Sequence, residues 1–162
     1  MRIQRNVLLV GVCGLAVGLL AWAQGRKAGL WEVISTMSWQ QSGFPAGMAA
    51  PMNRPHTMRV CVSQEQIDKY GTVPPQTRGD CQVANIVRKP NGMTAKMVCT
   101  GPLAGKGDIE SSWTDDSHST SRTHFLGVMH MGANSKPIEW TLESTFVYKG
   151  PDCGNVKPIE TP

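Results

Sequence analysis

The chain has 162 residues, of which 40% are hydrophobic and 17% are charged, and its formal net charge is +4. This length suits one domain with a sizeable core. The basic residues form no cluster beyond short pairs, which excludes the electrostatic footprint of a nucleic-acid-binding protein.

Residues 1–23 are predicted to be a secretory signal peptide. Two arginines near the start precede an apolar run, and Ala21-Trp22-Ala23 has the A-x-A pattern of a cleavage site. Cleavage leaves a single domain of residues 24–162 with no transmembrane anchor. A retained membrane anchor is one alternative, but the apolar run is shorter than the roughly 20 residues of a span. A lipoprotein modified at Cys13 is the other alternative.

The domain is predicted to open with a strand over residues 31–39. Apolar and polar residues alternate there, which is the pattern of a strand with one buried face. Residues 42–55 form a loop rich in glycine, proline and methionine, and a second strand follows over residues 57–62. The loop is long enough to have a function, although a plain connector is the simpler interpretation.

A short helix is predicted directly after the second strand. Ser63 and Gln66 match the Ser-x-x-Gln pattern of a capping box, so the helix begins at Gln64. It ends at Tyr70 because Gly71 is a typical helix-terminating residue. A helix of about two turns is not stable alone, so we expect it to pack on the sheet.

The segment from Cys81 to Cys99 predicts a hairpin with a cysteine at each outer end. Asn91-Gly92 is the strongest short hairpin signal, since both residues tolerate the positive φ of a type I′ turn. The alternation assigns Val83 and Val87 to the same face. Folding the two arms about this turn brings Cys81 close to Cys99, which makes a cross-strand disulfide geometrically reasonable.

Four cysteines remain after the predicted cleavage, and in an exported protein they indicate two disulfides. Three pairings are possible. The hairpin favours Cys81–Cys99, which leaves Cys61–Cys153. The sequence contains no Cys-x-x-Cys pair, which argues against metal or redox chemistry.

Three further strands are predicted, over residues 106–114, 118–131 and 137–149, after a glycine-rich turn over residues 100–107. The chain then has about seven strands, one short helix and no βαβ pattern. We therefore predict a mostly β fold in which an antiparallel meander curls into a barrel or half-barrel, with two disulfides.

The residues whose chemistry suits catalysis or metal binding do not form a recognisable motif. His118, His124 and His130 recur on one face of a predicted strand, but neighbours are about 20 Å apart at the rise of a strand. Asp115-Asp116 is ordinary turn chemistry, and no G-x-S-x-G motif is present. We expect no enzyme activity, no cofactor and no metal site.

Apolar residues on the predicted strands give two alternatives. They form a filled core, or they line a cavity for one small apolar ligand inside a barrel. The residues concerned are Trp31, Val33, Met37, Trp39, Trp113, Trp140, Leu142, Phe146 and Tyr148.

Several of these motifs together resemble the bacterial "domain of unknown function 3617" family. They are Gly29-Leu-Trp-Glu, the strand Met58-Arg-Val-Cys-Val-Ser before a short helix, the cysteine-bounded hairpin, and the ending Tyr148-Lys-Gly-Pro-Asp-Cys153. The resemblance covers essentially the whole mature chain. It implies an exported, disulfide-bonded β protein, periplasmic or secreted in a Gram-negative bacterium, and it implies no activity. Gly29 and Trp31 are also similar to the opening of lipocalins, by analogy only.

Two functions follow as hypotheses. The first is a module that binds a small apolar or lipid-like ligand, with the 42–55 loop over one end. The second is an envelope structural or protein-interaction module with a filled core and a partner at an open edge strand. A hydrolase is a distant third. A cavity lined by tryptophans favours the first function, and a solid core with an exposed edge favours the second.

Overall fold

The computed structural model describes residues 26–40, 54–75, 79–132 and 134–159. The predicted signal peptide and nearly all of the predicted 42–55 loop lie outside them. In these ranges seven strands and one helix form: β1 (Gly29–Trp39), β2 (His56–Val62), α1 (Gln64–Tyr70), β3 (Cys81–Lys89), β4 (Gly92–Cys99), β5 (Leu103–Trp113), β6 (His118–Met131) and β7 (Asn134–Gly150). Among the described residues, no helix is long and apolar enough to cross a membrane.

The strands form one antiparallel sheet in the order β2-β1-β7-β6-β5-β4-β3. Strands that follow one another in the sequence are neighbours, with one exception between β2 and β3. The last strand, β7, pairs with β1, so the two ends of the meander are joined. The prediction of an antiparallel meander is confirmed. The sheet is open between β2 and β3, which corresponds to a half-barrel rather than a closed barrel.

The inner face of the sheet, which carries Trp31 and Phe125, holds two apolar clusters. One contains Met93, Ala95, Met97, Cys99, Ile109, Phe125, Ile138, Trp140 and Tyr70. The other contains Trp31, Val33, Val60, Val62, Ile67, Val73 and Phe146. Tyr70 and Ile67 both come from α1, so the helix packs against both clusters, as expected for a helix that is unstable alone.

Glycines in the middle of the sheet make room for an aromatic ring. Gly105 pairs with Gly127, and a Cβ on Gly105 would lie 2.6 Å from Cζ of Phe125. The Phe125 ring is 0% exposed and stacks on Trp140 with 5.1 Å between ring centroids. The predicted turn over residues 100–107 is therefore wrong from Leu103 onward, because β5 begins at that residue. The glycines there are strand residues that leave space for the Phe125 ring.

The β3–β4 hairpin turns one residue earlier than predicted. Lys89 pairs with Gly92, so Pro90-Asn91 form the turn, and neither Asn91 nor Gly92 has a positive φ. The type I′ prediction is wrong because proline fixes the φ that suits the first central position of a type I or II turn.

A bulge in β3 then changes the register of the hairpin. Asn85 has a φ of 52°, and the pairing shifts between Ala84 and Val87. The extra residue turns Val87 to the outer face, where it is 56% exposed, so its assignment to the same face as Val83 is wrong.

Two disulfides join Cys81 to Cys99 and Cys61 to Cys153. The register set by the turn and the bulge places the first pair directly opposite each other. The second disulfide holds the C-terminal tail against the free edge of β2. There the N–H of Ile159 donates to the carbonyl of Cys61 at 3.1 Å, and Nε2 of Gln66 donates to the carbonyl of Ile159 at 2.6 Å.

Helix α1 has the predicted bounds and the predicted capping box. The N–H of Gln66 donates to Oγ of Ser63 at 3.2 Å, and the N–H of Ser63 donates to Oε1 of Gln66 at 2.9 Å. Gly71 ends the helix in the left-handed conformation, with a φ of 72°.

Replacing Ser63 with alanine is expected to lower the free energy of unfolding by about 1 kcal/mol, since one N–H of the first helical turn loses its acceptor. Urea denaturation monitored by tryptophan fluorescence measures the change. Gln64→Ala is the matched control, because the exposed side chain of Gln64 hydrogen-bonds to Asp68 and takes no part in the cap. Equal losses in the two variants would contradict the role of the cap.

Candidate functional site

The nine apolar residues singled out in the sequence all lie on the inner face, and they divide between the two clusters. Trp31, Val33 and Phe146 belong to one cluster, with Tyr148 packed against it. Trp140 belongs to the other, with Met37, Trp39, Trp113 and Leu142 packed against it. They pack against one another and against α1, which is the arrangement of a core.

A row of serines crosses the inner face between the two clusters. Ser35, Ser144, Ser121 and Ser111 occupy paired positions on four neighbouring strands. The hydroxyls of Ser35 and Ser144 are 2.8 Å apart, and Ser111 donates to Ser121 at 3.0 Å. The hydroxyls therefore bond to one another, and no histidine is hydrogen-bonded to them in the part of the chain described. A serine nucleophile requires such a base.

A groove of about 900 Å³ lies on the opposite, outer face of the sheet. Its walls are side chains from five neighbouring strands: Ile34, Thr36, Thr94, Glu110, Ser112, Thr120, Arg122, Glu143 and Thr145. Arg122 pairs across the strands with both Glu110 and Glu143, and its Nε is 3.9 Å from Oε1 of Glu143. Most of the residues that line it are polar or charged, and none of the nine predicted apolar residues is among them.

The three histidines of β6 are separated, and each has its own polar partner. The pairs are His118 with Asp115 at 3.0 Å, His124 with Glu139 at 2.9 Å, and His130 with Ser135 at 2.8 Å. The pKa of Asp115 lies below its usual range, mainly because the backbone N–H of Ser117 donates to the carboxylate and further because His118 does. Among the described residues no three His, Cys, Asp or Glu side chains converge as a metal site.

The N-terminal segment of residues 26–28 closes one end of the sheet. The indole N–H of Trp31 donates to the carbonyl of Lys27 at 3.0 Å, and the hydroxyl of Tyr148 donates to that of Ala28 at 3.2 Å. The guanidinium of Arg26 stacks 3.1 Å above the Trp113 ring. Burial lowers the pKa of Arg26 to about 10. No sequence pattern indicates this contact, because the two residues are far apart along the chain.

A family model described as "Protein of unknown function (DUF3617)" matches residues 26–153. The chain belongs to the DUF3617 family. The matched span includes every strand and both disulfides, and it begins at the residue that stacks on Trp113. Searches of curated proteins and of solved structures found no match. The family resemblance inferred from the motifs is therefore confirmed.

The two edges of the sheet differ in this DUF3617 protein. Along β3 the Asn85 bulge, the charged residues Arg88 and Lys89 and the adjacent Pro90 are features that discourage another strand from pairing. Along β2 the pairing with β1 is continuous from Val62 to His56, without a bulge. Within the described part of the tail, which ends at Ile159, the backbone contact with this edge is at Cys61.

Proposed function

We propose that this DUF3617 protein is an exported, non-enzymatic interaction domain that holds a polypeptide partner at an edge of its open sheet. The observation that carries the proposal is the contrast between the inner face of the sheet and its β2 edge. On the inner face Trp31 and Phe125 are both 0% exposed, which supports a packed core. The edge of β2 in contrast has backbone groups that pair with no described residue, and such groups are a template for strand addition.

Export is supported by the disulfides and by the predicted signal peptide. Disulfides persist in oxidising compartments such as the periplasm and are rare in the cytosol. One disulfide crosses the β3–β4 hairpin, and the other joins β2 to the tail. A non-enzymatic role is supported by the serine hydroxyls, which bond to one another, and by the histidines, which are dispersed.

Native mass spectrometry tests this function against transport of an apolar ligand. The mature protein is purified from periplasm without reductant. We expect a mass four hydrogens below that of the reduced chain, because two disulfides form, and no small-molecule adduct. An adduct of lipid-like mass that leaves on denaturation would overturn the proposal in favour of a carrier.

A further inference from the structure

We propose that the edge of β2 at Thr57 and Arg59 accepts an extended segment of a partner protein in which apolar and acidic residues alternate. This inference rests on the proposed function, and it specifies the edge and the chemistry of the partner.

The backbone of β2 offers hydrogen-bonding groups on its free side. In an antiparallel strand, the N–H and C=O groups of every second residue point to the same side. The carbonyl of Cys61 points away from β1, since it accepts from Ile159 of the tail at 3.1 Å. The backbone groups of Arg59 and Thr57 therefore point to that side as well. No described residue outside the β1–β2 ladder hydrogen-bonds to the backbone of Thr57 or Arg59, so an added strand can pair there.

The inward-facing side chain at this edge is apolar and exposed. Met58 lies opposite Val33 on the inner face and is 39% exposed, whereas Val60, two residues further along, is 6% exposed. An added strand would place a side chain beside Met58 and extend the inner face across the opening of the half-barrel. An apolar residue of the partner suits that position, since burial of apolar surface is favourable.

The outward-facing charge at this edge is positive. Arg54 and Arg59 are exposed and form no ion pair with any described residue. Glu32 lies opposite Arg59 and feels its charge, but the Glu32 carboxylate is bonded to Lys149 at 2.8 Å. Successive side chains of a strand alternate between faces. A partner strand therefore presents acidic residues to the arginines and apolar residues to Met58.

A second copy of the same chain does not suit this edge. Pairing two β2 edges would bring Arg54 and Arg59 of both copies together, and like charges across strands are unfavourable. The other edge is also basic, with Arg88 and Lys89 exposed. Charge complementarity thus favours a different, acidic polypeptide.

Site-specific photo-cross-linking tests the inference with the full-length chain in the bacterium that produces it. Benzoylphenylalanine replaces one residue at a time at Thr57 on the β2 edge, Val87 on the β3 edge and Thr120 in the outer groove. We expect a cross-linked protein at position 57, with the attachment mapped by mass spectrometry to an extended acidic and apolar segment. Arg59→Glu is expected to lower this yield about tenfold, and Arg88→Glu is the matched control that leaves it unchanged.

The other outcomes are distinguishable. Cross-links at position 87 or 120 but not at 57 overturn the choice of edge and leave the interaction function standing, while no cross-link at any position overturns both. A cross-link from position 57 to the same chain, to a second copy or to a segment without acidic residues overturns the partner chemistry. Arg59→Gln, which removes the charge without repelling Glu32, must give an intermediate yield, and thermal unfolding confirms that each variant is folded.

Discussion

Replacing Cys61 and Cys153 together with alanine is expected to lower the free energy of unfolding by about 4 kcal/mol. The two cysteines are 92 residues apart in the sequence, so the disulfide removes much of the conformational freedom of the unfolded chain. The variant also releases the tail, whose Ile159 packs against the cluster around Trp31 and bonds to Cys61. Urea denaturation under non-reducing conditions measures the loss.

The matched control is the double replacement of Cys81 and Cys99. These cysteines are 18 residues apart, so the expected loss is smaller, about 3 kcal/mol. Ile159→Ala, with both disulfides intact, separates the contribution of tail packing from that of the covalent bond. A larger loss from the hairpin disulfide than from Cys61–Cys153 would contradict the argument.

Alanine at Gly105 or Gly127 is expected to lower the free energy of unfolding by about 2–3 kcal/mol, the upper part of the usual range for overpacking a core. A Cβ at Gly105 would lie 2.4 Å from the carbonyl oxygen of Leu126, and one at Gly127 would lie 2.4 Å from that of Ala104. Both added methyl groups would also strike the Phe125 ring. Because the obstacles include backbone atoms of the neighbouring strand, the strands themselves must move.

Gly107→Ala is the graded control for this prediction. A Cβ there would meet its nearest atom at 3.0 Å and the flexible end of Met97 at 3.2 Å, so we expect a loss of about 1 kcal/mol or less. Thermal and urea unfolding of the three variants ranks them by their loss in free energy of unfolding. If Gly107→Ala proved as damaging as the other two, the close approach of the Phe125 ring and of the neighbouring carbonyl oxygens would not explain the losses.

Features encoded locally were predictable from the sequence. The capping box needs only Ser63 and Gln66, so the bounds of α1 follow from neighbouring residues. The alternation of β7 placed Trp140, Leu142 and Phe146 on one face because a strand repeats every two residues. The long polar strand β6 has the predicted bounds for the same reason.

Features set by distant residues were not predictable. Gly105 looked like a turn residue because its partner in space, Phe125, is twenty positions away in the sequence. The Asn85 bulge has no local signal strong enough to compete with the Asn-Gly pair. An open edge strand was one hypothesis from the sequence. The choice of β2 rather than β3 as the edge that binds a partner depends on the bulge in β3 and on the position at which Ile159 bonds to Cys61.

The position of β1 between β2 and β7 also governs when the protein can fold. Residues from Trp31 to Trp39 pair with residues from Tyr148 to Trp140, so the first strand needs the last one as its neighbour. A nascent chain can form the β1–β2 and β3–β4 hairpins early, but it cannot complete the sheet until β7 has been synthesised. Such long-range pairing is slow to form and leaves apolar strands exposed while it is incomplete. The unfinished chain is therefore the stage at which this protein most needs a chaperone.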